Sequence, residues 1–206
     1  GVTTGNHNTA VGQLAGLQIT TGYQNTAVGQ QALYAVTTGL NNTAIGRNAN
    51  TVTTTGSSNI VIGEAAQPTS SSVNQQITLG TVHITGLRCN VQTISSLSDG
   101  RDKTDVIDLP ESLDFINQLR PVKFKWASRD GEQGKDGLYE HGFIAQDLQA
   151  AQKENDADYL NMVLDDNPDK LEASYGKLVP ILVNSIKELS QKNTALETRL
   201  AALEAA

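Results

Sequence analysis

One cysteine, Cys89, stands in a chain of 206 residues. A lone cysteine excludes an internal disulfide framework and a zinc site built from several cysteines. No run approaches 18 apolar residues, so the sequence predicts no transmembrane helix. The segment Gly1 to Gly12 has neither a basic stretch nor an apolar stretch, so no signal peptide is expected. A chain that opens on Gly1 reads as a fragment or a processed product. Basic residues are outnumbered: the formal net charge is -7 and the pI about 4.9. Binding of nucleic acid through a global basic field is thereby excluded. The length itself suits one or two domains.

The scarcity of charge is local. Residues 1–97 hold three charged side chains, Arg47, Glu64 and Arg88, and two aromatics, Tyr23 and Tyr34. Residues 98–206 hold 13 basic and 21 acidic side chains and seven aromatics. Glycine runs the other way, twelve before the boundary and six after it. Two architectures are expected to meet near residue 97.

What fills the first half is a repeat. Thr4-Gly5-Asn6-His7-Asn8-Thr9-Ala10-Val11-Gly12 returns as Thr21 to Gly29, Thr38 to Gly46 and Thr55 to Gly63, always at the same spacing. A worn fifth copy runs from Ser72 to Gly80, and Ala15, Ala32, Ala49 and Ala66 keep the same period. Each copy predicts one short strand, with Thr9 and Val11 and their equivalents as its apolar face. A unit as short as Thr4 to Thr20 cannot bury that face alone, whereas stacked units can, so a β-solenoid over 1–80 is expected. Asn8, Asn25, Asn42 and Asn59 would form a ladder, pairing with each other or with corner backbone. Ile19 and Val36 lie outside the strand block, so a single ribbon should expose apolar surface and several chains should pack together. The surface suits a passive spacer or a glycan- or receptor-binding stalk; the shortage of aromatics favours the spacer. These repeats resemble the T-G-x-x-N-T-A-[VI]-G coils of trimeric adhesin heads and phage tail fibres, which implies a trimeric β-roll.

Residues 81–97 are polar and β-branched, and Thr81–Thr85 and Val91–Ile94 read as strands that close the stalk. Cys89 reads as a small buried hydrophobe. Then follows Ser98-Asp99-Gly100-Arg101-Asp102-Lys103. Taken alone this is a solvated linker. If Lys103 folds back onto Ser98, a neutral lysine could take the hydroxyl proton and make serine a nucleophile. That needs burial or a nearby cation to lower the lysine pKa from about 10.4. Arg101 is a candidate for that cation or for holding an oxyanion. Asp102, if close, would work the other way.

This segment resembles the S-D-x-R-x-K signature of the phage intramolecular chaperones, the self-cleaving C-terminal domains of endosialidase tailspikes and tail fibres (peptidase family S74). Three further motifs follow in the family's order: Leu119-Arg120-Pro121-Val122-Lys123-Phe124-Lys125-Trp126, Gly142-Phe143-Ile144-Ala145-Gln146-Asp147-Leu148, and Tyr175-Gly176-Lys177-Leu178-Val179-Pro180. The resemblance covers residues 98–206. It implies a scissile bond at Leu97–Ser98, with Ser98 as catalytic serine and new N-terminus and Lys103 as the base of a Ser-Lys dyad. Asp102 departs from the family's usual apolar residue.

Within 98–178 an α+β domain is expected. Pro110 can open a helix that Pro121 ends, with Leu113, Ile116 and Leu119 on one side and Phe115 adjacent. Val122, Phe124 and Trp126 alternate as a half-buried strand, joined across a loop at 129–137 to Gly142-Phe143-Ile144. A second helix runs from Ala145 to about Asn155 with Leu148 inward. His141 reads as a core or strand-end histidine. The acids Asp156, Asp158, Asp165, Asp166 and Asp169 fit no calcium loop and read as a solvated face. Tyr159, Leu160, Met162 and Val163 read as a short strand. Over 179–206, Leu182, Leu189, Leu196 and Leu203 recur as one heptad series. Val179, Ile186, Asn193 and Leu200 recur likewise, three positions earlier. That is an a/d seam, hence a coiled coil, with Asn193 fixing register. The alternative is a helix packed on its own domain.

The expected function is a homotrimeric chaperone that folds a tail fibre stalk and then releases itself by autoproteolysis. The stalk would belong to a virion and be assembled in a host cytoplasm. No cofactor, metal or membrane is implied; a host-surface receptor for the stalk is a further expected partner. Joining three C-termini would lower the entropy cost of starting a stalk whose contacts are remote in sequence. The competing expectation is a non-enzymatic trimeric adhesin or fibre tip whose C-terminal domain stays attached. A glycan hydrolase is disfavoured, since Glu64 is the stalk's single acid.

Overall fold

The repeat period becomes a stack of coils. In the computed structural model, which describes residues 4–81, 83–84, 86–90, 94–127 and 137–205, each repeat contributes one short strand. These are β1 (Thr9–Val11), β2 (Thr26–Val28), β3 (Thr43–Ile45), β4 (Ile60–Ile62) and β5 (Ile77–Leu79). They pair in parallel in chain order, and Thr9 faces Thr26, which faces Thr43, with no slip. Every strand pairs with its equivalent in the adjacent coil. Within one chain, each strand's partner therefore lies one repeat away.

The ladder of asparagines forms as the repeat predicts. Asn25, Asn42 and Asn59 are buried. The Nδ2 of Asn42 donates to Asn25 Oδ1 at 3.2 Å and to the Gly56 carbonyl at 2.9 Å. Its Oδ1 accepts from the backbone N–H and the Nδ2 of Asn59, both at 3.1 Å. Asn25 and Asn59 repeat this pattern one coil before and one coil after. Buried amides must be paired, and this column pairs both ends of each one. Glycine closes each strand for a steric reason. Gly46 has φ +131°, and a Cβ there would come within 2.6 Å of the Gly63 carbonyl oxygen in the next coil.

The strand face is the reverse of the one expected. The middle residues Ala27, Ala44 and Val61 are buried, while Val11, Val28, Ile45, Ile62 and Leu79 are exposed. Ile19 and Val36, expected at the surface, lie in the core with Ala32, Leu33, Ala49 and Ala66. Tight coils explain both changes. The interior at the strand admits alanine, and the larger side chains of the corners fill the space that remains. The apolar surface anticipated for a single ribbon is present, but as a stripe along the outer face of the sheet.

Chain contacts divide the protein into two units. One comprises Gly1–Arg88 with Lys125–Leu138 and Asp166–Lys170, and holds the solenoid. The other comprises Cys89–Phe124, Tyr139–Asp165 and Leu171–Ala206. The strand expected at 81–85 is absent among its described residues, where the Ile84 N–H donates to the Thr81 carbonyl in a turn. For the strand expected at 91–94 and the loop expected at 129–137, residues 91–93 and 129–136 lie outside the described residues. Cys89 is exposed rather than buried.

In the second unit, α1 (Leu113–Gln118) starts after Ser112, beyond the proline expected to open it. It buries Phe115. Strand β6 (Val122–Phe124) pairs antiparallel with β7 (Glu140–Gly142), ending before Trp126, which is exposed. Helix α2 (Ala145–Glu154) buries Leu148 as expected. The strand expected over Tyr159–Val163 is instead a 3-10 turn, Asp158–Leu160, followed by β8 (Val163–Leu164) paired with β9 (Glu172–Ala173). The αL backbone of Asn161 separates the two. Helix α3 (Leu178–Glu204) completes the unit. Phe115, Leu148, Ala151, Ala157, Leu160, Met162, Leu178 and Ile181 form one core.

Helix α3 has two working faces. Leu178, Ile181 and Ser185 are buried against the domain, the arrangement of a helix packed at home. The heptad residues Val179, Leu182, Ile186, Leu189, Leu196, Leu200 and Leu203 are all exposed. The domain face of the helix is filled, as expected for a helix packed on its own domain, and its heptad seam is open. Polar groups tie it to the start of α1 and to the segment before it. Glu188 Oε2 accepts from the Leu113 N–H at 3.1 Å, and Asn184 Nδ2 donates to the Leu109 carbonyl at 2.8 Å. Lys192 pairs with Glu188 at 2.7 Å. Hydrogen bonds from Lys192, Ser112 and the Leu113 N–H hold the Glu188 carboxyl down at about 2.

Two outcomes follow from this packing. Asn42→Leu strands buried partners on both neighbouring coils and should lower stability by ~3 kcal/mol, each unpaired buried group costing about 1–3 kcal/mol. Asn8→Leu, on the first coil of the stack, strands partners on one side only and should cost less; denaturant midpoints of the two variants check the difference. Because folding depresses the Glu188 pKa, its contribution is full above the ordinary value of 4.5 and is lost as pH falls towards about 2. Thermal unfolding of Glu188→Gln should therefore show a flatter acid limb across that window than wild type.

Candidate active site

Short-range chemistry shapes the segment after Leu97. Asp99 accepts the Arg101 backbone N–H at 2.9 Å and caps a 3-10 turn over Gly100–Asp102. Aspartate is suited to this, since its side chain can replace a backbone acceptor at a turn. Lys103 leaves the turn in extended backbone, with its N–H donating to the Gly100 carbonyl at 3.3 Å. The turn reverses the chain, and Lys103 Nζ donates to Ser98 Oγ at 2.7 Å. The two residues singled out from the sequence are thus in direct contact, and Ser98 is the residue next to Leu97.

The electrostatics give each neighbour a place. The Arg101 guanidinium meets Asp99 through Nε at 3.1 Å and 3.2 Å and through its terminal nitrogen at 2.6 Å. The Arg101 side chain and then its backbone N–H hold the Asp99 carboxyl below the usual carboxylate range. The cation considered for tuning Lys103 or holding an oxyanion is therefore paired with Asp99. Asp102 forms no ion pair with Lys103 among the described residues. Leu97, Ser98, Arg101 and Lys103 are all exposed. A lysine becomes a base only when burial or a cation disfavours its charge. In a single chain the contact has Lys103 Nζ as hydrogen-bond donor and Ser98 Oγ as acceptor.

The other motifs meet in space. Arg120 binds Asp147 through its terminal nitrogen at 2.8 Å and Nε at 3.2 Å. Tyr175 Oη accepts the Phe143 N–H at 3.1 Å, and the two rings pack edge to face at 5.6 Å. A Cβ on Gly142 would meet the Tyr175 hydroxyl, so a larger residue there would require the tyrosine side chain to shift. His141, on β7, is exposed and lies opposite Lys123.

Sequence reasoning missed the groups that fix the chain just beyond the Ser98–Lys103 contact. Glu111 is buried, and Tyr159 donates its hydroxyl to it. Burial first, and the Glu111 carboxylate second, push the Tyr159 phenol up to about 12. Asn184 and Glu188 lie far along the chain from the Leu109 and Leu113 backbone they bind, beyond any local pattern. Asp99 was legible: an aspartate two positions before a residue in a Gly-containing turn is a common cap.

Among the described residues no group of three or more His, Cys, Asp or Glu side chains is placed to hold a metal, and no helix is long and apolar enough to cross a membrane. No curated protein and no solved structure matches the chain. Residues 98–156 match the family model described as chaperone of endosialidase. That match opens on the serine that Lys103 contacts and takes in α1, the β6–β7 pair and α2. Residues 98–156 therefore form a segment of the chaperone-of-endosialidase family, and the repeat solenoid precedes them in the chain.

Proposed function

We propose that this chain is a trimerisation chaperone fused to a phage tail fibre stalk, and that it separates itself from the stalk at Leu97–Ser98. The contact between Lys103 Nζ and Ser98 Oγ, at 2.7 Å, is the observation that carries the reading. It lies at the first residue of the matched family segment, where a stalk almost devoid of charge gives way to an acidic domain.

The chemistry balances with these two side chains and one water. Neutral Lys103 takes the Ser98 hydroxyl proton as Oγ attacks the Leu97 carbonyl carbon. The C–N bond breaks, the proton passes to the departing amine, and Leu97 is held as an ester on Ser98 Oγ. Water then hydrolyses the ester, leaving a Leu97 carboxylate and Ser98 as a free N-terminus with its hydroxyl restored. Attack on the preceding carbonyl closes a five-membered ring, so no long reach is needed.

Assembly supplies the condition that one chain lacks. The open seam of α3 and the apolar stripe of the stalk offer surfaces for two further copies. Three chains brought together at α3 would cover Ser98 and Lys103 and shift Lys103 towards its neutral form. Cutting then acts as a checkpoint, and removal of the chaperone leaves the stalk kinetically trapped.

Denaturing gels and N-terminal sequencing test the reading. Wild type should give two fragments, one ending at Leu97 and one beginning at Ser98. Ser98→Ala and Lys103→Met should remain whole while still assembling, their cleavage rates falling by at least about a hundredfold. A wild-type trimer that stays intact contradicts the proposal.

A further inference from the structure

The Ser98–Lys103 contact is carried by chain that has little support of its own. Every residue from Ser98 to Asp108 is exposed, and the one regular element there is the 3-10 turn. The first fixed points after it come at Leu109, Glu111 and Leu113. Asn184 Nδ2 donates to the Leu109 carbonyl at 2.8 Å and to the Glu111 carbonyl at 3.4 Å. Glu188 accepts the Leu113 N–H, Lys192 braces Glu188, and Tyr159 holds the Glu111 side chain. Two of these clamps stand on α3, one turn apart. The same turns of that helix carry the exposed seam residues Leu182, Ile186 and Leu189.

Helix α3 therefore carries an open heptad seam on one face and holds the tether of the Ser98–Lys103 segment on the other. The tether from Lys103 to Leu109 is short, with a reach of at most about 20 Å. Fixing Leu109 confines the segment to the volume within that reach of α3, which lowers the entropy cost of bringing it to a place defined by the helix. We infer that Asn184 and Glu188 are positioning residues for the cleavage, holding the Ser98–Lys103 segment in the place that the assembled α3 helices define. The inference rests on the proposed function and adds to it the route by which assembly reaches the dyad.

Matched variants in the full chain test it. Asn184→Asp keeps the shape and removes the donor; Glu188→Met removes the acceptor. Glu188→Gln keeps an acceptor for the Leu113 N–H, and Ile181→Val, which loses one buried methyl on the same helix, controls for stability. Each is brought to the assembled state, confirmed by sedimentation, and its single-turnover cleavage rate is measured. Asn184→Asp and Glu188→Met should assemble yet cut at least about tenfold more slowly, while Glu188→Gln and Ile181→Val stay near wild type. A role confined to stability would instead slow cleavage in step with the loss of thermal midpoint, Ile181→Val included. Equal cleavage rates in all assembled variants overturn the inference alone. An assembled wild type that never cuts overturns the proposed function beneath it.

Discussion

A coil as short as one of these repeats has almost no interior, and the column of Asn8, Asn25, Asn42 and Asn59 lets such coils stack. Each amide in the column's middle joins the side chains and backbone of the coils on either side, including a corner carbonyl of the next coil. That network permits very short strands and corners at positive φ, including Gln24, Asn41 and Ser58 at one period. Such left-handed residues each cost roughly 1–2 kcal/mol, so the coil has to be held by its neighbours. Small interiors also favour compact residues at the strand centre, alanine in β2 and β3 and valine in β4, and the larger flanking residues Val28, Ile45 and Ile62 turn outward. The exposed stripe of the stalk is thus a consequence of the same packing that stabilises it.

The stalk's hydrogen bonds close within one chain and between adjacent coils. On the proposed function, a chaperone need not supply missing strand partners. On that proposal its task would be to align three preformed apolar stripes, which share one repeat and could dock one coil out of register. A seam at the C-terminus would set that register once, before the stripes meet. Helix α3 can do this because its two faces are separate: Leu178, Ile181 and Ser185 fasten it to the domain and the heptad residues stay open.

Patterns of fixed period were legible in the sequence. The repeat step located each strand of the stalk, and the asparagine ladder and the α3 helix followed from spacing alone. The direction of the strand face was not legible, because alternation says which residues share a side and not which side is inside. Alanine decided it, through the width of the coil. Helix α1 begins at Leu113 instead of at Pro110 because Leu109 and Glu111 are bound by Asn184, a partner no local rule can find. At the candidate site, Ser98 and Lys103 were legible through a family signature. The pairing of Arg101 with Asp99 was not, since the guanidinium could equally have turned towards Lys103.

The account stands on cleavage being conditional on assembly, and the dependence of cutting on chain concentration measures that directly. Refolded wild-type protein would be diluted in series, with the cut fraction read on denaturing gels and the oligomeric state by sedimentation. The account predicts that cutting slows steeply on dilution and that cut chains occur in the trimer alone. Cleavage at one rate across the series, or in the monomer fraction, would contradict it.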